Sequence, residues 1–61
     1  MAKEKVMQIM ARHGLYVRDM GGNRIGLADN AGNIYDIVSW DGQYITEDTG
    51  LSTTLRDWLG Y

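Results

Sequence analysis

The feature that most constrains the fold of this chain is a change of apolar period at Gly14. Before this glycine, apolar and polar side chains occupy opposite sides of a helical pattern, with Ala2, Val6, Ile9, Met10 and His13 against Glu4, Lys5, Gln8 and Arg12. The spacing predicts an amphipathic helix over residues 2–13. Gly14 then stands where a helix commonly ends in a left-handed residue.

Beyond Gly14 the period falls to two, and clusters of glycine, asparagine and aspartate separate short runs of β-branched and aromatic residues. We predict a meander of four strands at residues 15–19, 24–28, 34–40 and 43–47. Connections this short require antiparallel neighbours. Asp41-Gly42 is a strong signal for a two-residue hairpin between the last two strands.

The register of the first hairpin stays open at this level. A two- or four-residue loop at Gly21-Gly22 places Ile25 and Leu27 beside Tyr16 and Arg18, whereas an odd loop places them beside Leu15 and Val17. The two alternatives bring different side chains together on each face of the sheet.

The last segment, residues 51–61, has Leu51, Leu55, Trp58 and Leu59 at helical spacing, with Gly60 at the expected stop. We predict a short second helix with Ser52 or Thr53 as its N-cap. The order is therefore α-β-β-β-β-α, an α+β fold. With 61 residues, folding hides only roughly 60 % of the chain's surface, so residues 1–61 are expected to form a single small domain.

The composition indicates a cytoplasmic protein without chemistry of its own. Cysteine is absent, His13 is the one histidine, and Gly21-Gly22 lacks the lysine and helix of a phosphate-binding loop. The sequence starts without a signal-peptide pattern and holds no apolar run long enough to cross a membrane. We therefore expect no enzyme activity, no cofactor, no metal, no membrane contact and no small-molecule substrate.

Pairing across Asp41-Gly42 sorts the last hairpin into two faces. One face carries Ile34, Val38, Trp40 and Ile45 with Asp36 and Glu47, and the other carries Tyr35, Ile37 and Tyr44 with Ser39 and Thr46. If both helices cover the first face, the second is left in water as a partner-binding surface. Its predicted residues, including an acidic rim, are Tyr35, Ile37, Tyr44, Asp36, Asp41, Glu47 and Asp48. The alternative is one helix on each face, which buries both apolar sets.

The resulting hypothesis is a non-catalytic module that binds another protein or a second copy of itself. An adaptor, an inhibitor or an accessory protein of a mobile element all fit this pattern. The rival hypothesis is a nucleic-acid-binding regulator that uses the basic side of the first helix, through Lys3, Lys5, Gln8 and Arg12. Nucleic acid is the less favoured partner, because the formal net charge is −2 and such affinity depends on many cations.

Overall fold

Helices at the two ends of the chain enclose a run of strands in a computed structural model that describes residues 1–60. The elements are α1 (Lys3–Arg12), β1 (Tyr16–Asp19), β2 (Arg24–Ala28), β3 (Ile34–Trp40), β4 (Tyr44–Thr46), β5 (Ser52–Thr54) and α2 (Leu55–Leu59). The strands form one antiparallel sheet in the order β1-β2-β3-β4-β5. The predicted α+β class is confirmed, but the prediction of four strands is wrong because the sheet has five.

The additional strand is β5, which the helical spacing from Leu51 had assigned to the second helix. Ser52–Thr54 instead pairs with β4, and the β-branched residues Thr53 and Thr54 fit an exposed edge strand better than a helix. The N-cap of α2 is consequently Thr54, whose side chain accepts a hydrogen bond from the Asp57 N–H. Gly60 ends α2 at a φ of 93°, as the sequence predicts. Tyr61, the last residue of the segment from which the second helix was predicted, lies outside the described residues.

The first hairpin has an odd loop. The Met20 N–H donates to the Arg24 carbonyl at 3.1 Å, which leaves the three residues 21–23 between the paired positions. Val17 therefore lies opposite Leu27. Of the two registers that the sequence leaves open, the structure has the one that aligns the apolar residues of both strands on the same face.

The hairpin between β3 and β4 differs from its prediction by one residue in the turn. Trp40 is paired with Ile45 rather than with Gln43, because the two-residue loop is Gly42-Gln43 and not Asp41-Gly42. Gly42 has a φ of 102°, which glycine adopts without the strain of a side chain. The residue opposite Trp40 has moved by two positions, from Gln43 to Ile45. Because side chains alternate with a period of two, each side chain of β4 keeps its predicted face.

A β-bulge in β3 overturns the predicted faces of Ile34 and Tyr35. Leu27 is opposite Asp36, whereas the next residue, Ala28, is opposite Ile34, so Tyr35 is the extra residue. The bulge breaks the alternation, and the two side chains exchange sides. Ile34 lies on the face away from the helices, and Tyr35 lies beside core residue Leu27 at the edge of the helix-covered face.

Both helices cover the same face of the sheet. The core consists of Val6 and Met10 from α1, Leu55 from α2, and the inward strand residues Ile25, Leu27, Val38, Trp40 and Ile45. This is the helix arrangement that leaves the opposite face of the sheet without a cover. Among residues 1–60, no helix is long and apolar enough to cross a membrane.

Candidate interaction surface

The face of the sheet opposite the helices is not covered by either helix of the described chain. We call it the open face and define it by its outward strand positions together with Met20, which directly follows β1 and reaches over Gly26. Its residues are Tyr16, Arg18, Met20, Arg24, Gly26, Ala28, Ile34, Ile37, Ser39, Tyr44, Thr46, Ser52 and Thr54.

The centre of the open face is apolar and is organised by Gly26. A Cβ atom at this position would lie 2.9 Å from Met20 Sδ and 3.0 Å from Ile34 Cδ1, so the absent side chain makes room for these two. Both therefore lie flat across β2, and Ile37 is directly opposite Gly26 on β3. Gly26 is buried beneath these two side chains, and Ala28, which is paired with Ile34, is buried as well. The result is a low apolar platform in the middle of the sheet.

Two tyrosines flank this platform. Tyr16 is 59 % exposed on the edge strand β1, and Tyr44 is 38 % exposed on β4. Apart from Tyr44, the open-face residues of β4 and β5 are polar. Among them, the hydroxyl oxygens of Thr46 and Ser52 lie 2.9 Å apart in a hydrogen bond. The apolar part of the open face is thus concentrated on β1, β2 and β3 rather than spread over all five strands.

The charges of the open face are all positive. Arg18 and Arg24 are exposed, and within residues 1–60 neither guanidinium forms a hydrogen bond or an ion pair. None of the eight carboxylates occupies an outward strand position, because these acids are on the helices, in turns or on inward positions (Glu4, Asp19, Asp29, Asp36, Asp41, Glu47, Asp48 and Asp57). A chain with a net charge of −2 therefore presents a cationic sheet face.

The structure does not bring the predicted partner-binding residues together. Ile37 and Tyr44 lie on the open face as expected, but the bulge places Tyr35 on the other side of the sheet, where it is 64 % exposed. Asp36 is half-buried on an inward position, and its Oδ1 accepts a hydrogen bond from the Ile37 N–H at 2.9 Å. The aromatic pair that the sequence suggested is therefore split between two surfaces.

The predicted acidic rim is also dispersed. Glu47 Oε1 accepts a hydrogen bond from the Trp58 indole N–H at 3.1 Å, which connects the end of β4 to α2. Asp48 lies exposed in the turn before β5. These carboxylates border the helix side and the turns, so they do not surround the open face.

Asp41 belongs to a turn rather than to a rim. Its Oδ1 accepts hydrogen bonds from the Tyr44 N–H at 2.6 Å and the Gln43 N–H at 2.8 Å. These backbone donors, Tyr44 first, hold the pKa of the Asp41 carboxyl below its ordinary value. A carboxyl whose pKa is lower in the folded chain stabilises the fold above its unfolded pKa, and that contribution disappears as the pH falls through the folded pKa.

We expect Asp41→Asn to flatten the acid limb of the stability profile. The amide oxygen still accepts the turn hydrogen bonds, but it does not titrate, so the loss of stability between neutral and acidic pH becomes smaller. Urea unfolding at a series of pH values measures this difference. Asp48→Asn is the control, because Asp48 accepts no hydrogen bond among residues 1–60. A profile that changes equally in both variants contradicts the assignment.

The predicted nucleic-acid face on α1 is only partly available. Lys3 Nζ donates to Asp19 Oδ1 and, at 2.7 Å, to the Gly22 carbonyl, so it fastens α1 to the first hairpin. The Lys3 hydrogen bond, followed by one from the Gly21 N–H, lowers the pKa of Asp19. Lys5, Gln8 and Arg12 remain exposed on α1. Of the three cations predicted for this surface, only Lys5 and Arg12 are therefore available to a ligand.

A groove of about 270 Å³ lies on the helix side of the sheet, between the end of α1 and α2. Its lining residues are His13, Leu15, Leu27, Tyr35, Trp58 and Leu59. His13 Nδ1 lies 2.9 Å from the Ile9 carbonyl oxygen, so this nitrogen is bound to the helix end. The titratable side chains in this lining are His13 and Tyr35. Among residues 1–60, no three acidic or histidine side chains are grouped as a metal site.

Four residues of the open face were not predicted from the sequence as binding residues, namely Tyr16, Arg18, Met20 and Arg24. A usable signal was present in β2, where Arg24, Gly26 and Ala28 alternate with Ile25 and Leu27. That alternation places Arg24 on the side of β2 opposite to Ile25 and Leu27. Only the odd loop of the first hairpin adds Tyr16 and Arg18 to the same face.

Comparison with known proteins identifies no relative. No family model, no curated protein and no solved structure matches the chain. The function must therefore be inferred from the surfaces described above.

Proposed function

We propose that this protein is a non-catalytic binding module that acts on another protein through the open face. The observation that carries the proposal is the composition of this face. Protein interfaces are enriched in tyrosine, methionine and arginine and are depleted of lysine, aspartate and glutamate at their centres. The open face has two tyrosines, a methionine and two arginines, and it has no lysine, aspartate or glutamate. Serine and alanine are also depleted at interfaces, and the open face includes Ala28, Ser39 and Ser52.

The geometry of the open face supports the same function. Tyr16 and Tyr44 offer large rigid side chains on either side of an apolar platform, and such side chains dominate binding energy when a partner excludes water around them. Met20 adds an adaptable thioether surface over Gly26. A five-stranded sheet supports all of these positions from below, so the surface is already formed before a partner arrives.

The nucleic-acid hypothesis on α1 receives less support. With Lys3 bound to Asp19, the exposed cations of that side are Lys5 and Arg12, and Glu4 is exposed on the same helix. Each phosphate that a protein neutralises contributes to affinity through counterion release, so two cations give weak binding. We retain this hypothesis only as an outcome of the experiment below.

The test compares two matched double variants of the full chain. Tyr16→Ser with Met20→Ser removes an aromatic and an apolar side chain from the open face. Tyr35→Ser with Leu51→Ser removes a similar pair of exposed side chains from elsewhere, where Leu51 is 61 % exposed. Each immobilised protein is incubated with an extract of the cells that encode it, and bound proteins are quantified by mass spectrometry.

We expect a protein captured by the unmodified chain to decrease about thirtyfold with the open-face variant, since interface hot spots contribute about 2 kcal/mol or more. The control variant should retain it. Circular dichroism and cooperative unfolding must show that both variants fold. Equal capture by all three chains, or a loss with the control variant alone, contradicts the open face as the binding surface. Recovery of nucleic acid instead supports the α1 hypothesis.

A further inference from the structure

Resting on the proposed function, we infer that the open face binds an extended acidic segment of another protein, with carboxylates at alternate positions and an apolar side chain beside them. The carboxylates pair with Arg18 and Arg24, and the apolar side chain lies on the platform of Met20 and Ile34. The inference follows from the charge, the spacing and the surroundings of the two arginines.

The charge of the open face selects an anionic partner. Arg18 and Arg24 are exposed and make no ion pair with any of residues 1–60, so their charges are available to a ligand. A guanidinium binds a carboxylate through two parallel hydrogen bonds, which gives orientation as well as attraction. No carboxylate occupies an outward strand position, so nothing on the face competes with the partner for these groups.

The spacing of the two arginines matches an extended segment. Arg18 is directly opposite Gly26, and Arg24 is two residues from Gly26 on the same strand. Such diagonal positions on neighbouring strands have Cα atoms roughly 7–8 Å apart. Alternate side chains of an extended chain point to the same side and repeat at roughly 7 Å. Two carboxylates separated by one residue can therefore reach both guanidinium groups at once.

A second copy of the chain does not fit the open face. A symmetric dimer would bring the same patch of both molecules together, which places four guanidinium groups in one interface without a carboxylate at any outward strand position. Like charges in an interface oppose association. A contact between the open face and the acidic turns of another copy would be a head-to-tail contact, which produces rings or open-ended chains rather than a symmetric dimer.

Single-stranded nucleic acid fits less well than an acidic segment. Its binding relies on cations that follow the backbone and on aromatic rings that stack with the bases. The open face has two cations and one tyrosine that is more than half exposed, and its centre is aliphatic and thioether surface. The net charge of the chain is −2, which repels a polyanion at longer range.

The test uses synthetic peptides as probes and amide NMR spectra of the full chain as the readout. One peptide repeats the unit Glu-Ser-Glu-Ser-Tyr-Ser, so that in an extended conformation the glutamates and the tyrosine point to the same side. A second has the same composition with the glutamates grouped together, and a third replaces glutamate with lysine. An oligothymidylate of equal charge represents nucleic acid. We expect the alternating acidic peptide to bind most tightly and to shift the amide signals of β1 and β2.

The arginines are tested by Arg18→Gln with Arg24→Gln, and the matched control is Arg12→Gln with Arg56→Gln, which removes the same charge from the two helices. We expect each of the two open-face substitutions to contribute about a fivefold loss of peptide affinity. The two control substitutions together should change the affinity less than twofold. Tighter binding of oligothymidylate, equal binding of the lysine or grouped peptide, or equal effects of both arginine pairs would overturn the inference.

The inference and the proposed function fail separately. If the cellular partner is lost with Tyr16→Ser and Met20→Ser but is unaffected by the open-face arginine pair, the binding function stands and the acidic-segment inference is overturned. If sedimentation shows a dimer that the same open-face serine variant dissociates, the occupant is a second copy and the inference is overturned as well.

Discussion

Replacement of Ile45 by alanine is expected to leave the protein only marginally stable at physiological temperature. Ile45 is fully buried in the centre of the core, paired with Trp40 on one side and Thr53 on the other. Truncation of a buried isoleucine costs about 2–5 kcal/mol, because the cavity fills only partly. Stability in a domain this small lies near the lower end of the usual range, about 5 kcal/mol. The substitution therefore removes a large part of the total.

Urea unfolding monitored by tryptophan fluorescence measures this loss directly. Ile45→Val should cost only about 1 kcal/mol, since it removes a single methylene from the same site. Leu51→Ala, at an exposed position, should change the free energy of unfolding by less than about 0.5 kcal/mol. A loss for Ile45→Ala no larger than for Leu51→Ala would contradict the described core.

Replacement of Trp58 by alanine is expected to release α2 from the sheet. This helix has five residues, too few to persist in water without tertiary contacts. The half-buried Trp58 ring packs against the core, and its indole N–H donates to Glu47. The variant loses both the ring contact and the hydrogen bond, at a cost of about 3 kcal/mol for an aromatic side chain at this degree of burial.

Hydrogen exchange separates local release from global unfolding. In Trp58→Ala the amides of α2 should lose protection far more than those of β2 and β3, which are held by the centre of the sheet. Trp58→Phe keeps a ring without the N–H donor and should cost only about 1 kcal/mol. If α2 remains protected in the alanine variant, Leu55 alone is sufficient to hold it and the anchoring role of Trp58 is refuted.

Much of the fold could be predicted from periodicity because strong local signals agreed with tertiary packing. The stripe of α1 and the alternation of β2 and β3 each identify an element that the structure contains. The strand β5 could not be predicted in the same way. Leu51 and Leu55 happen to stand four residues apart, and the unpaired edge of β4, a tertiary feature, decides the competition in favour of a strand.

The candidate surface was harder to predict because it depends on three small irregularities. The odd loop of residues 21–23 sets the face of Arg18, the bulge at Tyr35 exchanges two side chains, and the absent Cβ of Gly26 lets Met20 cover the sheet. A single residue more or less in the first two places moves side chains to the opposite face. The short segments around these positions carry too little pattern to fix such details.

The separation of charge across the sheet has a consequence for handling the protein. Since the open face carries two positive charges and the chain has a net charge of −2, the remainder carries an excess of four negative charges. This excess belongs to the turns and to inward strand positions, because α1 and α2 together carry four cations and only two carboxylates. On an anion-exchange resin at low ionic strength, the protein should adsorb through its acidic turns and leave the open face in contact with the mobile phase, available for ligand screening.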